Sequence, residues 1–297
     1  MEFGQGAEPA TSTGDDMIEP TTSARDDLPP TGKLPYRRST YTEAAALAPE
    51  DPARTMDMPE LELLEVLGAT TVDRRKTRIS FQADQTITAV PTATVRIGEH
   101  RQRVSLPIGP QTWTPSGACV VKVERTSVGF HAQAWISPER RVANGLQNML
   151  ATGYVLEAAL LANEATELLR GKYEDPAGAA LGALLLHKAG QLVPWESWVE
   201  NLARDFDWLP DGKVMLVNLR VARGEATPDD LARLLRASEQ RVMYAETCSL
   251  LIDLLRRWPE ERSGPERYAA IERLANDAPY IDRDAICLTL WLPPDAP

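Results

Sequence analysis

Hydrophobic and polar positions change rhythm twice along the chain. Through residues 1–57 no period persists, and Pro, Thr, Ser, Asp and Ala dominate. Such a stretch cannot bury enough apolar area to offset an ordering cost of about 1–2 kcal/mol per residue, so a disordered tail is predicted there. Behind Pro59, an apolar run of Leu61, Leu63, Leu64, Val66 and Leu67 is too short to separate a short helix from an entering strand. Alternation then sets in. Ile79 and Phe81 share one face, Thr92–Ile97 and Gln102–Leu106 form a hairpin around Gly98–Arg101, and Ala118–Glu124 and Gly129–Ile136 follow. Short β-branched stretches separated by Pro and Gly predict a small antiparallel β-sandwich or barrel over 58–137.

At Ser137-Pro138 the period becomes helical, with Ser137 suited to cap and Pro138 to open a first turn. Apolar stripes run through Val155, Ala158, Leu161, Ala165 and Leu168, then through an Ala- and Leu-rich helix opened by Asp175-Pro176. Trp195, Trp198, Leu202 and Phe206 continue them, followed by Val214, Val217 and Val221, then Leu231, Leu234 and Leu235. A last stripe joins Tyr244, Cys248, Leu251, Leu255 and Trp258 ahead of Pro259. The unit from Pro210 to Ser238 reads as two helices meeting at a Gly-Glu-Ala-Thr-Pro turn. Helix pairs begin near Val142, Pro176, Asp211 and Val242, at spacings of 34, 35 and 31 residues. Pro265–Asn276 is one more short helix. For the terminal apolar run Ile286–Trp291, two readings stand: a helix capping the stack, which is preferred, or a strand returning to the β-unit. The predicted class is α+β, in two folded parts, with a helical repeat domain over 138–297.

A period of about 34 residues in helix pairs resembles tetratricopeptide-like α-solenoids. The likeness is architectural and covers 142 to about 276; the Trp-x-x-Leu-Gly-x-x-Tyr opening of that family is missing. The phrase from Lys172 through Leu186, with the later Trp198-Val-Glu-Asn-Leu-Ala and Trp208-Leu-Pro-Asp-Gly, is similar to uncharacterised bacterial proteins that accompany caspase-like peptidase domains. No peptidase motif occurs here, so that resemblance implies an accessory partner.

Composition narrows the function classes. A net charge of -11 repels a phosphate backbone and argues against nucleic acid; the basic run Arg74-Arg75-Lys76 with Arg78 reads as a solvated turn before a strand. No apolar run approaches the roughly 20 residues that span a bilayer, and Met1–Glu8 has no secretory pattern, so a cytoplasmic protein is expected. Within the tail, Lys33–Glu43 carries two tyrosines and three cations; it reads as a linker, or as a docking or phosphorylation segment at Ser39 or Thr40.

Candidate chemistry is sparse. Cys119, Cys248 and Cys287 form no C-x-x-C pair, so neither a metal site nor a disulfide framework is expected. Gly178 and Gly182 fit a small-residue packing surface rather than a phosphate loop, and no cofactor is implied. His100 falls in a turn and His187 at a helix end, where a structural role is expected. If their strands pair, Cys119 and His131 can meet, which would suit an activated thiolate. Trp195, Trp198, Glu200, Asp205 and Trp208, with Glu196, Phe206 and Asp207, make an acidic-aromatic cluster suited either to binding a basic peptide or to a helix core with a solvated face. The function expected is a non-enzymatic protein-binding adaptor. A Cys119/His131 enzyme and a structural subunit of a larger assembly are its rivals.

Overall fold

The alternating stretches form strands, and the computed structural model describes residues 58–126, 129–152, 162–259 and 264–293. The tail with its Lys33–Glu43 segment lies outside these residues, as do Val155, Ala158 and Leu161. In chain order the strands are β1 (Leu61–Leu67), β2 (Ala69–Arg75), β3 (Arg78–Ala83), β4 (Thr92–Ile97), β5 (His100–Ser105), β6 (Cys119–Thr126), β7 (Gly129–Ile136) and β8 (Thr289–Leu292). They make two four-stranded antiparallel sheets, ordered β1-β4-β5-β8 and β2-β3-β6-β7, and β7 of one lies against β4 and β5 of the other.

The run behind Pro59 is strand β1. The β4–β5 hairpin closes through Gly98 and Glu99, with Gly98 at φ 60, a left-handed position that tight hairpin turns require. Strand β2 was hidden in the sequence. Arg74 and Arg75, assigned to a solvated turn, end this strand, and Lys76 alone of that basic triplet lies in the turn. As an edge strand, β2 exposes residues on both faces, so no alternation marks it. A second correction concerns the terminal run. It forms no capping helix: Thr289–Leu292 pairs with β5, Thr289 opposite Val104 and Leu292 opposite Arg101.

The helices are α1 (Arg141–Ala151), α2 (Ala162–Arg170), α3 (Pro176–Lys188), α4 (Glu196–Asp205), α5 (Asp211–Arg223), α6 (Pro228–Glu239), α7 (Ala245–Arg257) and α8 (Pro265–Asp277). The first helices of successive pairs start at Arg141, Pro176, Asp211 and Ala245, which are 35, 35 and 34 residues apart. Packing is repeat-like. Each helix touches the next, and α1–α3, α3–α5 and α5–α7 also touch, as do α2–α4 and α6–α8. Local chemistry explains the breaks. Gly224 ends α5 at φ 74, and Thr227 and Asp230 cap α6 reciprocally with Pro228 at its first turn. Helices α2 and α3 approach so closely that a Cβ on Gly182 would lie 2.5 Å from the Ala165 carbonyl oxygen.

The change of texture at Ser137-Pro138 is a change of secondary structure within one continuous core. A single buried cluster runs from Ile79, Phe81 and Val104 through Leu146, Leu181 and Leu216 to Tyr244 and Cys287. A second cluster lies among α5–α8. Buried polar groups fasten the helix starts to the strands. Arg140 donates to the carbonyls of Pro107 (2.7 Å) and Ala118 (3.2 Å) and is paired with Asp175, which itself caps α3 by accepting from Gly178 N–H at 2.8 Å. Arg241 donates to Ser105 Oγ at 2.8 Å and to the carbonyls of Arg103 and Leu288 at 2.9 and 2.6 Å. Asp211 accepts from the N–H groups of Met243 (2.8 Å) and Tyr244 (3.2 Å), and the Tyr244 hydroxyl donates to Ala177 O at 2.7 Å.

Candidate functional site

Strand β7 is covered on both faces. Ala132, Ala134 and Ile136 enter the core, whereas His131, Gln133 and Trp135 occupy the alternate positions. Those three, with Glu124 and Thr126 of β6, line a cleft of about 910 Å³. Its opposite wall comes from Leu150 of α1, Lys188 of α3, Glu246, Ser249 and Ile252 of α7, and the segment Arg283–Ile286. The cleft therefore sits where the sheet, the first row of helices and the chain returning towards β8 meet.

Its polar floor is tightly built. His131 Nδ1 lies 2.7 Å from Asp282 Oδ2, and their side chains are 5% and 8% exposed. Asp282 is held in turn: its N–H donates to Thr289 O at 2.9 Å, and its Oδ1 accepts from Asp284 N–H at 3.1 Å. Burial alone would lower the His131 pKa, but the hydrogen bond and charge of Asp282, with Glu124 and Asp284 behind it, outweigh burial and raise it. Burial would raise the Asp282 pKa, and the hydrogen bond and charge of His131, with the Asp284 and Ala285 N–H groups, more than reverse that, leaving it lowered. Glu124 stands directly across from His131 in the β6–β7 register and accepts from Trp135 Nε1–H at 2.5 Å.

Gln133 lies between His131 and Trp135 on this face and is 3% exposed. Its side-chain amide has no hydrogen-bond partner among the described residues. Gln133 is one of the residues that line the cleft.

Of the sequence-predicted residues, His131 lies in this cleft, and Cys119 and the acidic-aromatic group lie outside its lining. Cys119 and His131 are on adjacent strands, but Cys119 is opposite Ile136, five residues along β7 from His131 and therefore about 17 Å away. Burial also pushes the Cys119 thiol up to about 12, and the Cys248 thiol to about 11, the reverse of an activated thiolate. The acidic-aromatic residues do cluster, on α4 and its approaches, and they are engaged within the chain. Arg170 covers Trp195 at 5.1 Å, and Lys172 sits 4.5 Å from the rings of both Trp198 and Tyr173. Asp205 accepts from Tyr173 Oη–H at 2.6 Å and from Arg204 Nε–H at 2.8 Å, and Glu200 pairs with Arg220 at 3.1 Å. Trp208 is half-buried and packs beside Gly109. His187 is 3.3 Å from Asn218 Nδ2, and burial lowers its pKa.

The residues that sequence reasoning missed are Glu124, Gln133, Trp135 and Asp282. Alternation along 129–136 carried a signal for the strand residues, because His131, Gln133 and Trp135 share a face that a solvated strand would fill with charge. Nothing in the sequence brings Asp282 to His131. Among the described residues, no group of His, Cys, Asp and Glu is arranged to hold a metal ion, and no helix is long and apolar enough to cross a membrane.

Residues 145–283, just under half of the chain, match the family described as the Y4kD C-terminal domain. That span includes most of α1, all of α2–α8 and Asp282, but not the strands that carry His131 and Gln133. No curated protein and no solved structure matches the chain.

Proposed function

We propose that this protein is a non-covalent protein-binding module. Its two facing sheets read as a small sandwich, its helix pairs as a tetratricopeptide-like array, and the cleft between them as the recognition surface. The observation that carries this reading is the cleft itself, about 910 Å³ and lined by strands, helices and the returning segment together, with Gln133 and Trp135 on its floor. Hydrophobic walls with a few fixed polar groups are what binding sites offer. The α4 cluster around Trp195, Trp198, Glu200, Asp205 and Trp208 supports a surface of this kind less well, because its charges and rings are already paired within the chain. A photo-cross-linking residue placed at Ile252, on the cleft wall, and separately at Trp198 separates the two surfaces. Discrete protein adducts from Ile252 in the cells that make the protein are expected. Adducts from Trp198 alone, or none above an exposed control position, refute the cleft reading.

A second reading rests on the His131–Asp282 hydrogen bond, a geometry that orients an imidazole for general-base work. In that case His131→Gln abolishes turnover while leaving ligand affinity nearly unchanged. For a binding module, the same substitution alters affinity and there is no turnover to lose.

A further inference from the structure

The chain returning to β8 crosses the cleft as a short strap anchored at both ends. At one end Ile281 bridges Leu290. At the other, Tyr244 bridges Cys287, the Ala245 N–H donates to Ile286 O at 2.9 Å, and the Leu288 N–H donates to Met243 O at 2.8 Å. Residues 282–285 span these anchors and bring Arg283, Asp284 and Ala285 to the cleft wall. Asp282 organises the span. Its N–H donates to Thr289 O at 2.9 Å, its Oδ1 accepts from Asp284 N–H at 3.1 Å, and its Oδ2 lies 2.7 Å from His131 Nδ1, which ties the strap to β7.

The charge around this tie depends on one proton. On β6, Glu124 stands opposite His131 and Lys122 opposite Gln133, alternate positions on one face. The strap brings Asp282, Arg283 and Asp284, while Lys188 of α3 and Glu246 of α7 pair with each other at 3.1 Å. Helix α1 lines the cleft with Leu150 and Ala151, which carry no charge. Three carboxylates thus meet three cations, Lys122, Arg283 and His131, only while His131 is protonated. Arg283 and Asp284 are exposed to solvent, and Glu124 is held by the Trp135 indole N–H. Asp282 has no such relief: its side chain is 8% exposed, so little water can replace a lost imidazolium charge. A neutral imidazole still donates through Nδ1–H, without the charge that offsets burial of the carboxylate. Burial opposes protonation of His131, yet Asp282, Glu124 and Asp284 together hold its pKa above the ordinary value. The tie is therefore complete below the ordinary histidine range and weakens as pH rises through the folded value.

We propose that residues 282–285 are a pH-sensitive strap, drawn onto β7 while His131 carries a proton and loosened when that proton leaves, so that the cleft opens as pH rises. As regulation, this rests on the cleft being the binding surface. The test uses the full chain without any ligand: backbone hydrogen exchange over residues 281–286 by mass spectrometry, from about pH 5 to about pH 9, each rate divided by the intrinsic exchange rate at that pH. The His131 titration midpoint is read on the same protein by NMR. Protection of the strap, foremost at the Asp282 and Asp284 N–H groups, is expected to fall about tenfold through that midpoint. His131→Gln, which cannot take up the proton, should show low strap protection throughout and no such fall. Asp211 titrates in both proteins, so the comparison isolates His131. Glu124→Gln keeps an acceptor for Trp135 and should move the His131 midpoint and the strap's fall to lower pH together. Strap protection that is constant across the wild-type midpoint overturns the proposal. So does the same fall in His131→Gln, or a fall that stays in place when Glu124→Gln moves the midpoint. Whether the cleft binds a partner is judged separately, by the cross-link from Ile252.

Discussion

Asp211 has no contact with solvent, and burial pushes its carboxyl up to about 6 from 3.8, against the pull of the Met243 and Tyr244 N–H groups. A carboxyl raised on folding takes up protons in the native state first. Its stability contribution is therefore fully present below pH 3.8 and is lost as pH rises through about 6, some 3 kcal/mol in order of magnitude. Asp211→Asn should flatten the dependence of unfolding free energy on pH across that window, measured by urea denaturation at a series of pH values. The His131–Asp282 pair behaves differently. The raised His131 pKa gives stability that is complete below the ordinary histidine range and disappears as pH rises through the folded value. The lowered Asp282 pKa gives stability that disappears as pH falls. Together they favour an intermediate window. Asp282→Asn should lower the His131 pKa seen by NMR and remove the loss of stability on the alkaline side; an unchanged His131 titration would contradict the pairing.

Among elements, β7 shows how a sheet edge is closed without a further strand. Its outward backbone groups are met by side-chain amides. Gln102 Oε1 accepts from Ala132 N–H at 2.5 Å, Gln147 of α1 accepts from Ile136 N–H at 2.6 Å and donates to Ala134 O at 2.8 Å, and Asn144 donates to Ile136 O at 2.5 Å. Gln147 is fully buried, so Gln147→Leu leaves two interior backbone groups unpaired and should cost about 2–4 kcal/mol in chemical denaturation. This also explains what was legible. The helix starts stood out because Pro176, Asp211 and Pro228 mark them and apolar stripes follow each. Strand β2 did not, because an exposed edge imposes no hydrophobic period. The terminal Ile286–Trp291 run was ambiguous for a different reason: a short apolar stretch fits a helix or a strand until its partner is known, and the partner, β5, is far away in sequence. The same distance hid the site. His131 was visible as a residue, while its meaning depended on Asp282; the register that parts it from Cys119 is a local matter, set by the short connection between β6 and β7.

At the scale of the whole molecule, the strands and helices share a buried cluster, and Arg140 and Arg241 join the two with charge-assisted hydrogen bonds. Cutting at the change of texture would expose that cluster on both sides. Calorimetry of the full chain should therefore show the strands and the helices through α5 melting in a single transition. A fragment covering 138–297 alone should lack a cooperative melt, since Leu146, Leu181 and Cys287 lose their cover. Two well-separated transitions would show that the shared cluster is energetically unimportant. Arg140→Met, by leaving Asp175 half-buried without its cation and two carbonyls without a donor, should lower the same transition by about 3–5 kcal/mol in stability.

The pairing of β8 with β5 has a consequence in time. Thr289 follows Ser105 by 184 residues, so during synthesis the β5 edge is made long before the strand that covers it. At about 5–20 residues per second, that edge waits roughly ten to forty seconds with its backbone donors and acceptors free. A bare edge over that interval can recruit a neighbouring nascent chain as readily as its own strand. The last pairing to form is thus the one that most exposes this protein to aggregation while it is being made, and slower translation downstream of β5 should depress its soluble yield.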